Sequence, residues 1–487
     1  MKKTMHTLAF FFLFSCTSLI APTEKKSFDD VILNWLNVFG ETIQRAKAKH
    51  YRIDNPEQAM IESIKEFLRK LDPHSSFLDP KTYKTILETT SGEFFGIGII
   101  IDATRKPKDR FLMVLDIIPD GPSEKAGLLP YDKIIEIDGK LLEGMTTEEA
   151  TSKLRGEKDT VVHIKVMREK KTEPIPFDIT RGIVKEQTSL AFYLKDHDIY
   201  YLSLTSFTRN AEKQIEKLLK KSTKENYRAL ILDLRNNSGG LLSSAVNIAG
   251  LFLPQKSLVV TTRNKDNKET ERYETKRKPI ALNGLPIFIL TNNFTASAAE
   301  ILAGCLKMHS EKLAGQKLMV FLVGSTSFGK GSVQEIIPIG NDCAVKITTS
   351  LYHLPNGTTI QGTGIQPDFL VEKQFPAPEQ IEWFQKFYGR EQALKDYIKP
   401  HGSKPEDESA KKEKKKEDDK KPKNWSERAR KSLAKDNQFL AAITLANLFD
   451  TTKKNTPALV NNRKKAEEHL KKIFATHGEL NMEEIKA

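Results

Sequence analysis

Ala229-Leu230-Ile231-Leu232-Asp233-Leu234 runs into Arg235-Asn236-Asn237-Ser238-Gly239-Gly240 and then into an apolar stretch from Leu241 to Phe252. A short apolar run, a break rich in Asn, Ser and Gly, and a segment of helical length make one strand-turn-helix module. The module recurs. Pro286 to Leu290 breaks at Thr291 to Thr295 before a helix from Ala298 to Met308. Leu318 to Val323 leads into the loop Gly324 to Gly331, then a strand or hairpin through Val345 to Leu354 that turns at Pro355-Asn356-Gly357. Strands alternating with helices predict an α/β domain, assigned here to residues 182–375.

Upstream, residues 87–181 read differently. Phe95-Gly96-Ile97-Gly98-Ile99-Ile100-Ile101 predicts a glycine-punctuated strand, followed by strands at Phe111 to Ile118 and around Ile134 to Ile137. A short helix at Ser123 to Ala126, a helix at Thr146 to Leu154 and a strand at Val161 to Met167 complete a compact, mostly β unit. Residues 17–86 carry apolar residues at helical spacing (Val31, Trp35, Leu36, Phe39, then Ile61, Ile64, Leu68) and predict a helical unit. That unit contains the turn-rich segment Leu71-Asp72-Pro73-His74-Ser75-Ser76-Phe77-Leu78-Asp79-Pro80. Phe28 to Phe39 reads either as a dimerisation helix or as a cap on the core. Downstream, 376–400 connects to 401–424, a tract of Lys, Glu and Asp with no apolar face that reads as a disordered linker. Leu433, Leu440, Ile443, Leu448 and Phe449 place a helical region in 425–487.

With 487 residues the chain is longer than one core usually organises, and its 39% hydrophobic content suffices for several. Residues 1–16 have the zones of a secretory signal: Lys2 and Lys3, the apolar run Leu8 to Phe14, then Ser15-Cys16. The run is too short to span a bilayer as a helix, so export to a bacterial cell envelope is the expectation. Leu13-Phe14-Ser15-Cys16 also resembles a lipobox, which makes Cys16 a candidate lipidation site and a lipid anchor the expected membrane attachment. The other cysteines, Cys305 and Cys343, are read as buried apolar residues; the sequence has neither a disulfide framework nor metal-ligand spacing. The net charge of +13 comes with no recognition helix, zinc finger or single-strand-binding signature. It is read as a solvated surface, with no nucleic-acid partner.

Ser297 lies where a strand turns into a helix, beside the unpaired N–H groups of the first helical turn, which can stabilise an oxyanion. Taken alone, Ser297-Ala298-Ala299-Glu300 is also an ordinary capping box. A serine nucleophile needs a base. His309 is twelve residues along the same helix, about 18 Å away at 1.5 Å rise per residue, and cannot reach it. There is no Gly-x-Ser-x-Gly elbow and no zinc-binding His-Glu-x-x-His. Lysine can replace histidine as base, and Lys330 sits among apolar and glycine neighbours in Phe328-Gly329-Lys330-Gly331-Ser332-Val333-Gln334. Moving a lysine from about 10.4 to about 7.5 takes roughly 4 kcal/mol, which burial can supply. In an extended segment Gln334 returns to the face of Lys330 and could orient its nitrogen. The glycine-flanked lysine is not a phosphate loop, because Gly331 replaces the hydroxyl residue that would hold magnesium.

These three stretches, Thr295 to Gly304, Phe328 to Gln334 and Asp233 to Gly240, resemble the carboxyl-terminal processing peptidases, or tail-specific proteases. The similarity runs from about Met60 to Val371 and includes Leu71 to Pro80 and Gln361-Gly362-Thr363-Gly364-Ile365-Gln366-Pro367-Asp368. It implies a crotonase-like α/β protease core with an inserted PDZ domain, and a serine endopeptidase without metal or organic cofactor. By resemblance Ser297 is nucleophile, Lys330 general base and Gln334 its orienting residue, with Ala298 and Gly239 or Gly240 forming the oxyanion hole. The PDZ loop Phe95-Gly96-Ile97-Gly98 would offer N–H groups to a peptide carboxylate while a strand edge pairs with the tail. Expected partners are protein or peptide substrates with free C-terminal tails, an adaptor or activator, and a second copy as homodimer. The alternatives are a silent PDZ-type tail-binding adaptor and a Ser-His-Asp hydrolase using His353. Two positions depart from the pattern: Ala299, where many members have serine, and Asp159, where glycine is common.

Overall fold

The computed structural model describes residues 27–102, 109–118, 120–169, 171–280, 284–312, 318–372, 430, 433–434, 436–455 and 462–477. Cys16 and its leader, the connecting segment 376–400 and the charged tract 401–424 lie outside the described residues. The chain divides after Ser63 into two compact units. The first contains α1 (Phe28–Lys49), opened by a reciprocal capping box between Ser27 and Asp30.

The second unit is built on a six-stranded sheet. Its strands are β10 (Ser189–Leu194), β11 (Ile199–Leu204), β12 (Ala229–Asp233), β15 (Pro286–Thr291), β16 (Met319–Gly324) and β19 (Phe369–Leu370), in that spatial order. Pairing is parallel from β11 to β19, and β10 is antiparallel to β11. Because side chains alternate along a strand, Leu230, Leu232, Ile287, Ile289, Val320 and Leu322 point to one face. There they meet α6 (Ala211–Ser222), α7 (Leu242–Ala249) and α8 (Ala298–Lys312). Ile231, Phe288, Leu290, Phe321 and Val323 point to the other, covered by α9 (Asn437–Asn455) and α10 (Arg463–His477).

A second, antiparallel sheet carries β1 (Ser76–Leu78), β18 (Cys343–His353), β13 (Leu258–Arg263) and β14 (Glu269–Glu274), with β17 (Ser332–Gly340) also on β18. The segment from Leu71 to Pro80 is therefore more than a turn. Its strand β1 pairs Ser76 with Lys346 and Leu78 with Ala344, and it precedes α3 (Pro80–Ser91).

The mostly β unit is inserted between β2 (Glu93–Gly96) and β9 (Gly182–Lys185), which pair with each other and bring the ends of the insert together. The insert contains β3 (Ile99–Ile101), β4 (Leu112–Ile117), β5 (Lys133–Ile137), β7 (Val161–Met167) and β8 (Ile175–Thr180) in that order, with β6 (Lys140–Leu141) paired to β5 and with α4 (Pro122–Lys125) and α5 (Thr147–Leu154) beside them. Leu112, Val114, Ile134, Ile164 and Val166 form its core. The single strand expected from Phe95 to Ile101 is two strands in different sheets. Gly98 takes φ +76° and Ile97 is buried, which breaks the run. Asp159, where glycine was expected, has φ +64°, a left-handed conformation that Asp tolerates better than most residues. Cys305 is buried, but Cys343 is only half-buried at the start of β18, where it faces a turn.

Candidate active site

β15 and β12 are parallel neighbours, so the loops at their C-terminal ends lie side by side. Asn292 and Thr295 fasten them. Asn236 N–H donates to Asn292 Oδ1 (3.0 Å), Asn292 Nδ2 to Asn236 Oδ1 (2.9 Å) and Thr295 Oγ1 to the Leu234 carbonyl (2.9 Å). Ala296 N–H donates to the Asn237 carbonyl (2.9 Å). Ser297 leaves this clamp at φ +55° and is 8% exposed, a left-handed conformation that costs a non-glycine residue about 1–3 kcal/mol.

Only one half of the capping box forms at Ser297. Glu300 Oε2 reaches back to the Ser297 N–H (2.8 Å), but among the described residues the Ser297 hydroxyl has no hydrogen-bond partner. The cap is made by the glutamate, and the nucleophile candidate is left free. Glu300 is wholly buried and also accepts from Ser327 Oγ, Gly329 N–H (2.8 Å) and Lys330 N–H (2.9 Å). Burial pushes its carboxyl up to about 7, against the opposing pull of those donors. One carboxyl group thus ties the loop of Ser297 to the loop of Lys330. The sequence shows this residue only as a capping partner.

Lys330 is half-buried, and its Nζ donates to Gln334 Oε1 (2.6 Å) and to the Ser332 carbonyl (3.3 Å). No hydrogen bond joins it to Ser297 Oγ. Gln334 Nε2 in turn donates to Ser332 Oγ (2.9 Å) and Thr348 Oγ1 (3.2 Å). The glycines flanking the lysine have a steric cause. A Cβ on Gly331 would lie 2.7 Å from the Gln361 nitrogen, and Gly329 takes φ +96° against Gly362 and Gly364. The stretch Gln361 to Gly364 is the wall behind the lysine loop, with Gln361 Oε1 accepting from Gly331 N–H (2.7 Å).

The oxyanion candidates are unequal. Gly239 N–H donates to Asn237 Oδ1 (2.8 Å), so its N–H is already engaged. Phe207 N–H donates to the Gly239 carbonyl and Leu241 N–H to the Phe207 carbonyl, which turns the Gly240 N–H away from that strand. Among the described residues neither Gly240 N–H nor Ala298 N–H has an acceptor. Gly239 has φ +101°, and a Cβ there would come within 2.9 Å of Ser297 Cβ and 3.0 Å of Ala298 N. Its glycine identity keeps the space beside Ser297 open.

Neither histidine weighed as a base is hydrogen-bonded to Ser297. His309 Nε2 contacts the Leu258 carbonyl (2.7 Å), and buried His353 has Nδ1 3.2 Å from the Leu351 carbonyl. Among the described residues no group of three His, Cys, Asp or Glu side chains is disposed to hold a metal ion.

In the inserted unit β3 is an edge strand, paired on one side with β4. Phe95 and Gly96 are register partners of Ile183 and Gly182, and Ile97 and Gly98 follow with N–H groups that donate to no acceptor among the described residues. A cavity of about 610 Å³ is lined by Phe95, Thr151 and Arg155 and, from α3, by Lys81 and Lys84. The Arg155 guanidinium lies 4.4 Å from the Phe94 ring centre.

Residues 198–371 match the model of peptidase family S41, and residues 113–168 match a PDZ domain. The carboxy-terminal-processing protease of Bartonella bacilliformis is 33% identical over 402 residues, 82% of this chain and 88% of that protein. The carboxyl-terminal-processing protease of Synechocystis is 32% identical over 316 residues, 64% of this chain and 70% of its own. The carboxy-terminal processing protease CtpA of Bacillus subtilis is 31% identical over 331 residues, covering 68% of this chain and 67% of its own.

Proposed function

The chain belongs to peptidase family S41, the carboxy-terminal-processing proteases, and on that premise we propose that it cuts substrates held by their C-terminal tails with a Ser297/Lys330 dyad. Ser297 Oγ attacks the peptide carbonyl carbon as the neutral Lys330 amine takes its proton. The carbonyl oxygen becomes an oxyanion facing the N–H groups of Gly240 and Ala298. Lys330 then gives its proton to the amine as the C–N bond breaks, leaving an ester on Ser297. Water adds to the ester while Lys330 accepts its proton, and return of that proton to Ser297 releases the carboxylate product. Gln334 keeps the amine oriented within its loop. The observation that carries this reading is the free Ser297 hydroxyl at a strained helix start, where Glu300 has taken over the capping.

The tail is proposed to add as a strand to the open edge of β3, with its carboxylate at the N–H groups of Ile97 and Gly98. Phe95 and Gly96, engaged with β9, shape the mouth. Residues 1–16 are proposed to direct export to the bacterial cell envelope, with Cys16 as lipid attachment point. Exposed Trp35, Leu36, Phe39 and Ile43 on α1 support homodimer formation, and an adaptor or activator would engage the same enzyme. A silent tail-binding adaptor fits less well, because such a protein gains nothing from a strained Ser297 whose hydroxyl is left free.

The test is mass-spectrometric detection of cleavage of a loosely folded protein with an apolar tail. The intact enzyme is expected to cut, and both Ser297→Ala and Lys330→Ala to lose about 10³-fold or more. Amidating the tail should slow the intact enzyme. Unchanged cleavage by either variant would refute the dyad, and tail binding without cleavage by the intact enzyme would favour the adaptor.

A further inference from the structure

The segment Leu71 to Pro80 stands apart from the dyad in sequence, yet it supplies a buried carboxylate to the lysine's hydrogen-bond chain. Asp72 is 4% exposed and accepts from His74 N–H (2.8 Å), Ser75 N–H (2.9 Å) and Ser75 Oγ. Burial would raise its carboxyl, but hydrogen bonds from Ser75, His74 and Thr348 together outweigh burial and hold it below the usual range. Asp72 is therefore an anion that can only accept. Thr348 Oγ1 donates to Asp72 Oδ1 (3.0 Å), and Ser75 Oγ accepts from Thr348 N–H (3.1 Å).

The polarity of the chain follows from these facts. A threonine hydroxyl has one proton. With that proton given to Asp72, Thr348 Oγ1 can only accept from Gln334, so Gln334 turns its Nε2 toward Thr348, where it also reaches Ser332 Oγ (2.9 Å), a hydroxyl that can donate as well as accept, and its Oε1 toward Lys330. All the donors run one way: Lys330 Nζ to Gln334 Oε1 at 2.6 Å, Gln334 Nε2 to Thr348 Oγ1 at 3.2 Å, Thr348 Oγ1 to Asp72 at 3.0 Å. Bonds aligned in this way polarise one another.

We propose that Asp72 is a positioning residue for catalysis, fixing through Thr348 the amide orientation of Gln334 and hence the acceptor that holds Lys330. The proposal rests on the reading of Lys330 as general base. Without the anion, Thr348 is free to donate to Gln334, and the amide can flip to present its NH₂ group to the lysine, donor against donor.

The chain also predicts a direction for pH dependence. A polarised Gln334 carbonyl stabilises the ammonium more than the amine, so weakening the chain lowers the affinity of Lys330 for its proton. The acid limb of kcat/KM should then move to lower pH. The charged group facing Asp72 is Lys346 on β18, whose ammonium is disfavoured by burial and favoured by Asp72; His74 is the titratable neighbour on the same segment. Facing the Lys330 loop from α8 is the buried Glu300 carboxyl, which accepts from the Lys330 N–H and is the same in the Asp72 and Thr348 variants, so a shift between them is not its own. Loss of the Asp72 charge would leave Lys346 unopposed and push Lys330 in the same direction. Thr348→Val keeps both charges and isolates the relay.

The experiment measures kcat and KM against pH on a tail-bearing peptide for Asp72→Asn, Thr348→Val, their double variant and Thr348→Ser, with Ser297→Ala and Lys330→Ala in parallel. Asp72→Asn and Thr348→Val should each lower kcat about tenfold or more, change KM by less than about twofold, and shift the acid limb downward. The double variant should be no worse than the poorer single one, and Thr348→Ser should keep near-full kcat. Asp72 also shapes its own turn, so if Asp72→Asn fails to fold, Thr348→Val alone decides the question. An unchanged kcat and acid limb in Thr348→Val, with Ser297→Ala and Lys330→Ala inactive, would overturn the relay and leave the dyad standing. Activity in Lys330→Ala would remove both.

Discussion

The two faces of the six-stranded sheet are equally dry but differently built. The face under α6, α7 and α8 is packed mainly with Leu, Ile, Val and Ala supplied mostly by neighbouring sequence, with Tyr200, Phe207, Tyr227, Phe252 and Tyr352 among them, and α8 begins directly after Ser297. The face under α9 and α10 is aromatic, with Phe288, Phe321, Phe369, Phe439 and Phe449, and its cover comes from the far end of the chain. Phe321 stacks on Phe288 at 5.6 Å between ring centres and meets Phe369 and Phe449 at 6.1 and 6.0 Å. On the first face the small residues Ala298, Ala299 and Ala303 let α8 approach the sheet closely. Large rings on the second bury much area per residue and anchor a distant segment.

If that contrast holds, the largest stability loss should come from the aromatic face. Phe321→Ala is expected to cost about 3–5 kcal/mol, read by denaturant unfolding. Activity measured well below the new midpoint should be nearly intact, because Phe321 faces away from Ser297. A loss of kcat at temperatures where the variant is fully folded would break the division between the faces.

Glu300 sharpens the comparison from the side of α8. Its folded value of about 7 stands above an ordinary 4.5. Between those values the native state keeps a proton that the unfolded chain has lost, so stability falls as pH rises through the window and levels off above about 7. The drop is about 3 kcal/mol at most. Glu300→Gln should remove this slope from a series of unfolding curves across the window. It also replaces one acceptor oxygen by a donor facing either the Ser297 and Lys330 N–H groups or the Ser327 hydroxyl and Gly329 N–H, so cleavage should fall as well. A slope unchanged in Glu300→Gln would show that another group causes it.

Much of the α/β core and of the candidate site was legible because its signals are local. The apolar runs ending in Asn, Ser and Gly, the serine at a helix start and the glycine-flanked lysine each occupy fewer than about ten residues and obey local rules. What escaped was long-range or ambiguous. Ser-x-x-Glu is the same pattern whether serine or glutamate does the capping, and only φ +55° at Ser297 separates the two. Asp72 and Thr348 are 276 residues apart, and Arg235 and Asp436 are 201 apart. The second face had left a trace: Ala229 to Leu232, Ile287 to Leu290 and Met319 to Val323 are apolar at every position, as strands covered on both sides must be. Nothing in those runs says what covers them. Phe95 to Ile101 misled because a glycine in a strand and a glycine that ends one look alike until φ is known.

The smallest effect is expected where the two faces meet. Arg235, in the loop leading to Gly239 and Gly240, is buried and donates through Nη1 to both carboxylate oxygens of Asp436 (2.7 Å each) and to Gln438 Oε1 (3.2 Å). Through Nε and Nη2 it also holds Asp233 (2.9 and 2.7 Å). Asp436 stands immediately before α9 and also accepts from Gln438 and Phe439 N–H groups, so it caps that helix as well. Asp436→Asn leaves Asp233 to neutralise the arginine, which keeps the cost at about 1–2 kcal/mol, below that of stripping a buried charge of every partner. The variant is informative because the same bond fixes the loop that carries the Gly240 N–H. At temperatures where it and Phe321→Ala are both folded, Asp436→Asn should lose several-fold in kcat with KM unchanged, although it costs less stability. Equal kcat in the two variants would mean that the tail helices only cover the sheet; the expected inequality would mean that they also hold the loop of Gly239 and Gly240.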